Sequence, residues 1–199
     1  MDTAQSKLRV SWYRSPVSRE DLRRLNQRSD FQAFLQTGGY LGLLALSGTA
    51  AYYSAGRWPW PVVILLFWLH GEFWHFLING FHEFVHDSVF KTRWLNWFFL
   101  RVFSFLGWYN HHEFWASHTE HHKYTLHPPD DLEVVLPTKL TRRSFWLSAL
   151  NWKGPYYMLK GQWAVARGKI SGAWLLALYP ESEPEKRRPR TRWARCLLL

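Results

Sequence analysis

Two long apolar stretches, separated by a very short break, constrain the fold of this chain more than any other feature. Phe34–Tyr53 carries no charged residue and is rich in Gly, Ala and Leu, and a second apolar run extends from Trp60 to about Phe81. About 20 such residues cross a bilayer as a helix. The break, Ser54-Ala55-Gly56-Arg57-Trp58-Pro59, leaves room only for a tight turn. The pattern predicts a transmembrane helical hairpin with Trp58 and Trp60 as interfacial anchors. The chain's 14 Trp and 19% aromatic content fit such a setting, because an indole ring is apolar with one polar edge.

Positive charge then orients the hairpin. The segment before the first span carries Lys7, Arg9, Arg14, Arg19, Arg23, Arg24 and Arg28. The turn carries only Arg57, and basic residues return after the second span at Lys91, Arg93 and Arg101. Cytoplasmic flanks of membrane helices are enriched in Lys and Arg. Both ends of the hairpin are therefore expected on the cytoplasmic side. The formal net charge of +10 invites a nucleic-acid reading. The charges flank apolar segments instead of forming a reader helix, so no nucleic-acid partner is expected. The single cysteine, Cys196, excludes an internal disulfide and a Cys-ligated cluster within the chain.

The remaining segments are shorter. Residues 1–33 read as a cytosolic N-terminal arm, with helical potential from Ser18. Trp94–Tyr109 is apolar and aromatic but interrupted by Arg101, which suits an interfacial or re-entrant helix. The core runs to residue 135, and residues 136–192 read as a cytosolic segment. That segment has a helical stretch around Ser144–Arg167 and a charged linker over Glu181–Arg195. Trp193–Leu199 reads as the opening of a third apolar helix. The fold class expected is all-α integral membrane: a transmembrane helical hairpin plus cytosolic or interfacial helices.

The chemistry lies in the histidines. All 10 fall between His70 and His127. His82-Glu83-Phe84-Val85-His86 sits at the cytoplasmic end of the second span, with two imidazoles at i and i+4. His118-Thr119-Glu120-His121-His122 offers three, at i, i+3 and i+4. Residues so spaced share one helix face. Five imidazoles exceed what one tetrahedral zinc takes, and they suit iron among other metals, so a pair of metal ions is expected. Glu72, His75, Asn79, His82 and His86 recur at steps of three or four and form a polar stripe. Such groups at membrane depth face a protein interior or a cavity, so the stripe is either a wall leading to the metals or a set of interhelix pairings. His70 lies off the stripe and reads as structural. His111 or His112 is a candidate further ligand or partner. Asp130 and Asp131 either orient ligand histidines by accepting their second N–H or cap a turn.

These two clusters resemble the first two histidine boxes of the membrane fatty acid desaturase family in order, separation and membrane placement. The resemblance covers roughly residues 30–135. It implies a cytosolic di-iron centre, so that His82, His86, His118, His121 and His122 would be iron ligands, with no separate catalytic residue. It also implies four transmembrane helices and the use of molecular oxygen and two electrons to place a double bond in an acyl chain. The family has a third box with paired histidines, whereas no histidine follows His127 here. The sequence therefore reads as a fragment lacking the third box, of a multi-pass membrane protein whose N-terminus and boxes are cytoplasmic.

The acyl chain would lie in an apolar tunnel; aromatics such as Trp74, Phe81, Trp94 and Trp115 are candidates for its wall or for the membrane interface, with ordinary packing the favoured reading for each. No dinucleotide fingerprint or haem segment is visible, so the electrons would come from a ferredoxin or a cytochrome b5-like donor. Three rival readings remain at this stage. One is a related di-iron hydroxylase or ketolase of lipids or carotenoids. Another is a membrane zinc metalloprotease using His82-Glu83-x-x-His86. The third is non-enzymatic, with the fragment acting only as a membrane partner of a related protein.

Overall fold

A computed structural model describes residues 13, 15–127, 130–133, 139, 141–150 and 153–199. The first 12 residues of the N-terminal arm and Arg14, together with Pro128, Pro129 and the boundary expected at residue 135, lie outside them. The described residues are helical throughout, with no strand, as the all-α expectation required. They fall into two compact units, one over Ser15–Tyr109 and the other built on Asn110–Leu199.

The first unit opens with α1 (Arg19–Leu25) and α2 (Asp30–Ser54). Ser18 caps α1 by accepting from the Asp21 N–H (3.0 Å), and Ser29 caps α2 by accepting from Gln32 N–H (3.4 Å). Each cap satisfies an amide that the helix itself leaves without a partner. Pro61 starts α3 (Trp60–His75), and α2 and α3 pack side by side. Gly48 faces the His70 ring (3.0 Å to a built Cβ), while Ser47 Oγ meets His70 Nδ1 at 3.0 Å. His70 is thus a packing residue within the helix pair. Tyr40 adds a second tie, donating to the Phe73 carbonyl at 2.5 Å.

The second apolar run is not one unbroken helix. It ends at His75 and restarts as α4 (Leu77–Val85), with Phe76 serving both as C-cap and N-cap. The polar stripe expected from Glu72 to His86 is interrupted there, and Glu72, His75 and Asn79 are exposed. Trp60–Val85 as a whole is the one stretch among the described residues long and apolar enough to cross a membrane. The expected pair of spans is reduced to one by this measure. α2 has the length, 25 residues, but Gln32, Gln36, Thr37, Ser47, Thr49 and its four glycines dilute its apolar character.

α4 buries Leu77, Phe81, Phe84 and Val85, a helical stripe, against α5 (Arg93–Leu106). Phe84 meets Phe103 with ring centroids 5.0 Å apart, and Phe90 stacks on Phe99 at 5.1 Å. A Cβ at Gly80 would stand 2.4 Å from the Phe103 ring, so only glycine admits this approach. Buried Asn96 accepts from the Phe90 N–H (2.8 Å) and donates to its carbonyl (2.9 Å), which closes the loop between α4 and α5.

The second unit contains α6 (His111–Tyr124), α7 (Arg142–Leu150), α8 (Gly154–Ala166), α9 (Ala173–Leu178) and α10 (Pro184–Leu197). The stretch expected as a charged linker over Glu181–Arg195 is mostly helix. Trp193–Leu197 continue α10 instead of opening a helix of their own. The physical reason lies in Arg190, whose side chain is 2% exposed in spite of its charge. It donates to Glu113 of α6 at 2.7 Å and lies over the Tyr179 ring. A basic run reads as solvated until an acid elsewhere in the chain takes one of its cations. Ala194 and Leu198 then pack on Val165 and Ala166 of α8.

Candidate metal-binding histidines

α4 places His82 in its last turn, and His86 is its C-cap. Their Nε2 atoms lie 3.3 Å apart and their rings meet edge to face. His82 Nδ1 lies 3.0 Å from Glu83 Oε1, and the other Glu83 oxygen accepts from Ser88 Oγ (3.3 Å). Asp87, next to His86, adopts φ 55° and faces Arg93 through Oδ2 at 3.4 Å.

α6 starts at an Asn110 cap, whose Oδ1 accepts the Glu113 N–H at 3.3 Å. Asn110 Nδ2 also donates to the Arg190 carbonyl (2.9 Å), and the Tyr179 hydroxyl donates to the His112 carbonyl (2.6 Å). Burial, with the Glu113 carboxylate nearby, pushes the Tyr179 phenol above its ordinary value, so it remains a donor. The first turn of α6 is thereby pinned by α10 and by Tyr179, which follows α9. His111 is buried between His112 and Trp193, with ring centroids at 4.1 and 4.5 Å.

Two turns on, His118 and His122 bring their Nε2 atoms to 3.0 Å. His121 stacks beside His118 with centroids 5.7 Å apart. Behind them stand two carboxylates. His121 Nδ1 lies 2.8 Å from Asp131 Oδ2, and His118 Nδ1 lies 2.6 Å from Glu133 Oε1. Burial works against the Asp131 charge, yet the N–H groups of Glu133 and Leu126 together with His121 hold its carboxyl below the usual range. Asp131 is therefore an ionised acceptor, and His121 must carry its proton on Nδ1. The orienting role considered for the aspartates is met by Asp131. Glu133 went unnoticed in the sequence because nothing in its spacing ties it to His118, 15 residues earlier. His127 Nδ1 meets the carbonyls of Tyr124 and Thr125 at 2.6 and 2.7 Å.

Both clusters occupy the last turns of their helices, where the helix dipole favours positive charge. Within each pair, two imidazole Nε2 atoms stand about one hydrogen bond apart. A neutral histidine that donates Nδ1–H to a carboxylate has only a lone pair at Nε2. A pair of nitrogens so placed needs a shared proton or a metal cation between them. The donor set suits a metal that accepts imidazole nitrogen.

The first unit also holds a cleft of about 430 Å³, lined by Tyr40, Leu43, Phe73, Phe76, Phe84 and Phe103, with Glu83 among its polar residues. None of the four aromatics weighed for a tunnel, the interface or packing lines this cleft. Phe81 is fully buried, Trp74 donates to the Leu106 carbonyl, and Trp94 and Trp115 are exposed.

Compared with known protein families, residues 58–199 match the family model described as fatty acid desaturase, which takes in both histidine clusters. No curated protein and no solved structure matches the chain.

Proposed function

The chain belongs to the fatty acid desaturase family, and we propose that it serves as an oxygen-dependent acyl-lipid desaturase with iron held by His82, His86, His118, His121 and His122. Family membership carries desaturase-type oxidoreductase chemistry. The observation that supports the metal reading most directly is the carboxylate behind the imidazole. Asp131, Glu133 and Glu83 each accept from a ring Nδ1. That arrangement turns Nε2 outward as a lone pair, which is how ligating histidines are commonly held.

Two iron ions, when bound, supply the activation of molecular oxygen that no side chain here can perform. The overall conversion takes a CH2–CH2 unit, O2, two electrons and two protons to CH=CH and two waters. The chain's own residues would fix the donors, hold the acyl chain and keep water away. The apolar cleft of the first unit is proposed to take part of that chain. A ferredoxin or cytochrome b5-like donor would bring the electrons, and the basic surface suits an acidic carrier. A multi-pass topology is part of the proposal, and the distribution of Lys and Arg supports placing the N-terminus and boxes on the cytoplasmic side.

The test is metal and lipid analysis of the chain purified from membranes. Iron that is lost in both His82→Ala and His118→Ala supports the reading, as does a new unsaturated acyl product formed in the presence of a donor. One tightly bound zinc with peptide hydrolysis dependent on Glu83 would replace it with the protease alternative.

A further inference from the structure

The turn after α6 is bent into a shape its residues do not favour. Thr125 and Leu126 have φ of 20° and 62°, a region that β-branched and bulky side chains rarely enter. Asp131 holds it there. Its side chain is fully buried, and Oδ2 accepts both the Leu126 N–H (2.6 Å) and His121 Nδ1 (2.8 Å). Its Oδ1 accepts the Glu133 N–H at 2.9 Å. Both oxygens of Asp131 are thus engaged, and all three contacts shape the loop or its histidine, with the result that Glu133 is delivered onto His118.

Glu133 is different. Its Oε1 meets His118 Nδ1 at 2.6 Å, while Oε2 is buried and has no hydrogen-bond partner among the described residues. A buried carboxylate oxygen left so is unfavourable. That energy is offset if positive charge gathers on the far side of the ring, and that far side is Nε2, 3.0 Å from His122 Nε2.

We infer that Glu133 is a positioning residue that fixes His118 with its proton on Nδ1 and makes the His118–His122 pair a stronger binder of cations. An ionised carboxylate only accepts, so it selects the tautomer whose Nε2 is bare. The negative charge behind the ring also favours a cation at that nitrogen. The inference rests on the metal reading above for its purpose, but the tautomer it predicts does not.

Two measurements on the full chain test it. The first needs no metal: ring nitrogen and carbon shifts of histidine-labelled chain, with His118 assigned by the signals missing in His118→Gln. Wild type is expected to show the Nδ1–H form, and Glu133→Ala to move toward the Nε2–H form. Identical His118 shifts in wild type and Glu133→Ala overturn the inference. The second is a Co2+ titration followed by its visible absorption. Glu133→Ala should weaken binding by about 10–100-fold. Glu133→Gln, which keeps an acceptor oxygen without the charge, should fall between, and His118→Ala should lose the site. Wild-type affinity in Glu133→Ala alongside loss in His118→Ala also overturns it. A wild-type chain that binds no Co2+ counts against the iron reading instead, and the tautomer measurement then decides the role of Glu133.

Discussion

The two histidine pairs are built alike within their helices but are supported differently. The pair on α4 relies on nearby residues. Its one carboxylate, Glu83, is the next residue to His82, and the two side chains are 57% and 37% exposed. On α6 the support comes from residues 10 and 15 positions away: Asp131, at 0% side-chain exposure, holds His121 beside the pair, and Glu133, at 16%, holds His118 itself. The acid beside His86, Asp87, faces an arginine and not a histidine. A charged hydrogen bond gains strength as water is excluded. The α6 pair is therefore pre-organised by tertiary structure, whereas the α4 pair is organised mainly by helical spacing.

That contrast is open to direct attack. The largest expected effect is on stability. Glu113→Leu leaves buried Arg190 of α10 without its carboxylate, and breaking such a pair costs about 3–5 kcal/mol. Unfolding of the chain in detergent micelles should show it, and Glu113→Leu combined with Arg190→Met should recover much of the loss. No recovery would mean that α10 supports α6 through packing alone. In the first unit, Asn96→Ala removes both hydrogen bonds that close the loop after His86, at about 1–3 kcal/mol for the buried groups left unpaired. Co2+ affinity at His118 should be unaffected if each pair is supported within its own unit. Gly80→Ala forces a Cβ against Phe103, an overpacking of roughly 1–3 kcal/mol that the same unfolding assay reads.

The smallest effect concerns pH. Asp30 accepts from the Thr92 hydroxyl at 2.6 Å and from its N–H at 3.0 Å, and these bonds hold its carboxyl below the ordinary value. A lowered folded-state value gives stabilisation that is present above the unfolded carboxylate pKa. It is lost as pH falls through the lower folded value. Asp30→Asn should flatten that acid limb, which a melting series across the acidic range would detect.

What the sequence revealed divides along similar lines. The helical character, the hairpin turn at Gly56–Pro59 and both histidine boxes could be read directly, because i, i+4 spacing and apolar runs are local signals. His70 was recognised as structural from its phase on the helix. The break at Phe76 was not legible, since Trp60–Phe81 has no proline or charge beyond its start to mark it apart from Glu72. The helix over Pro184–Leu197 was hidden because a run of Arg and Lys resembles a solvated tail. Only Glu113, some 77 positions before Arg190, shows where one of those cations is buried. Glu133 was hidden for the same reason: its partner is set by the turn that Asp131 closes and not by any repeat.

The most direct test of the central claim is X-ray absorption at the iron edge of Fe(II)-loaded chain. The account predicts imidazole outer-shell scattering from several histidines, reduced both by His82→Ala/His86→Ala and by His118→Ala/His122→Ala. A spectrum without imidazole scattering, or one unchanged by either pair of substitutions, would contradict it.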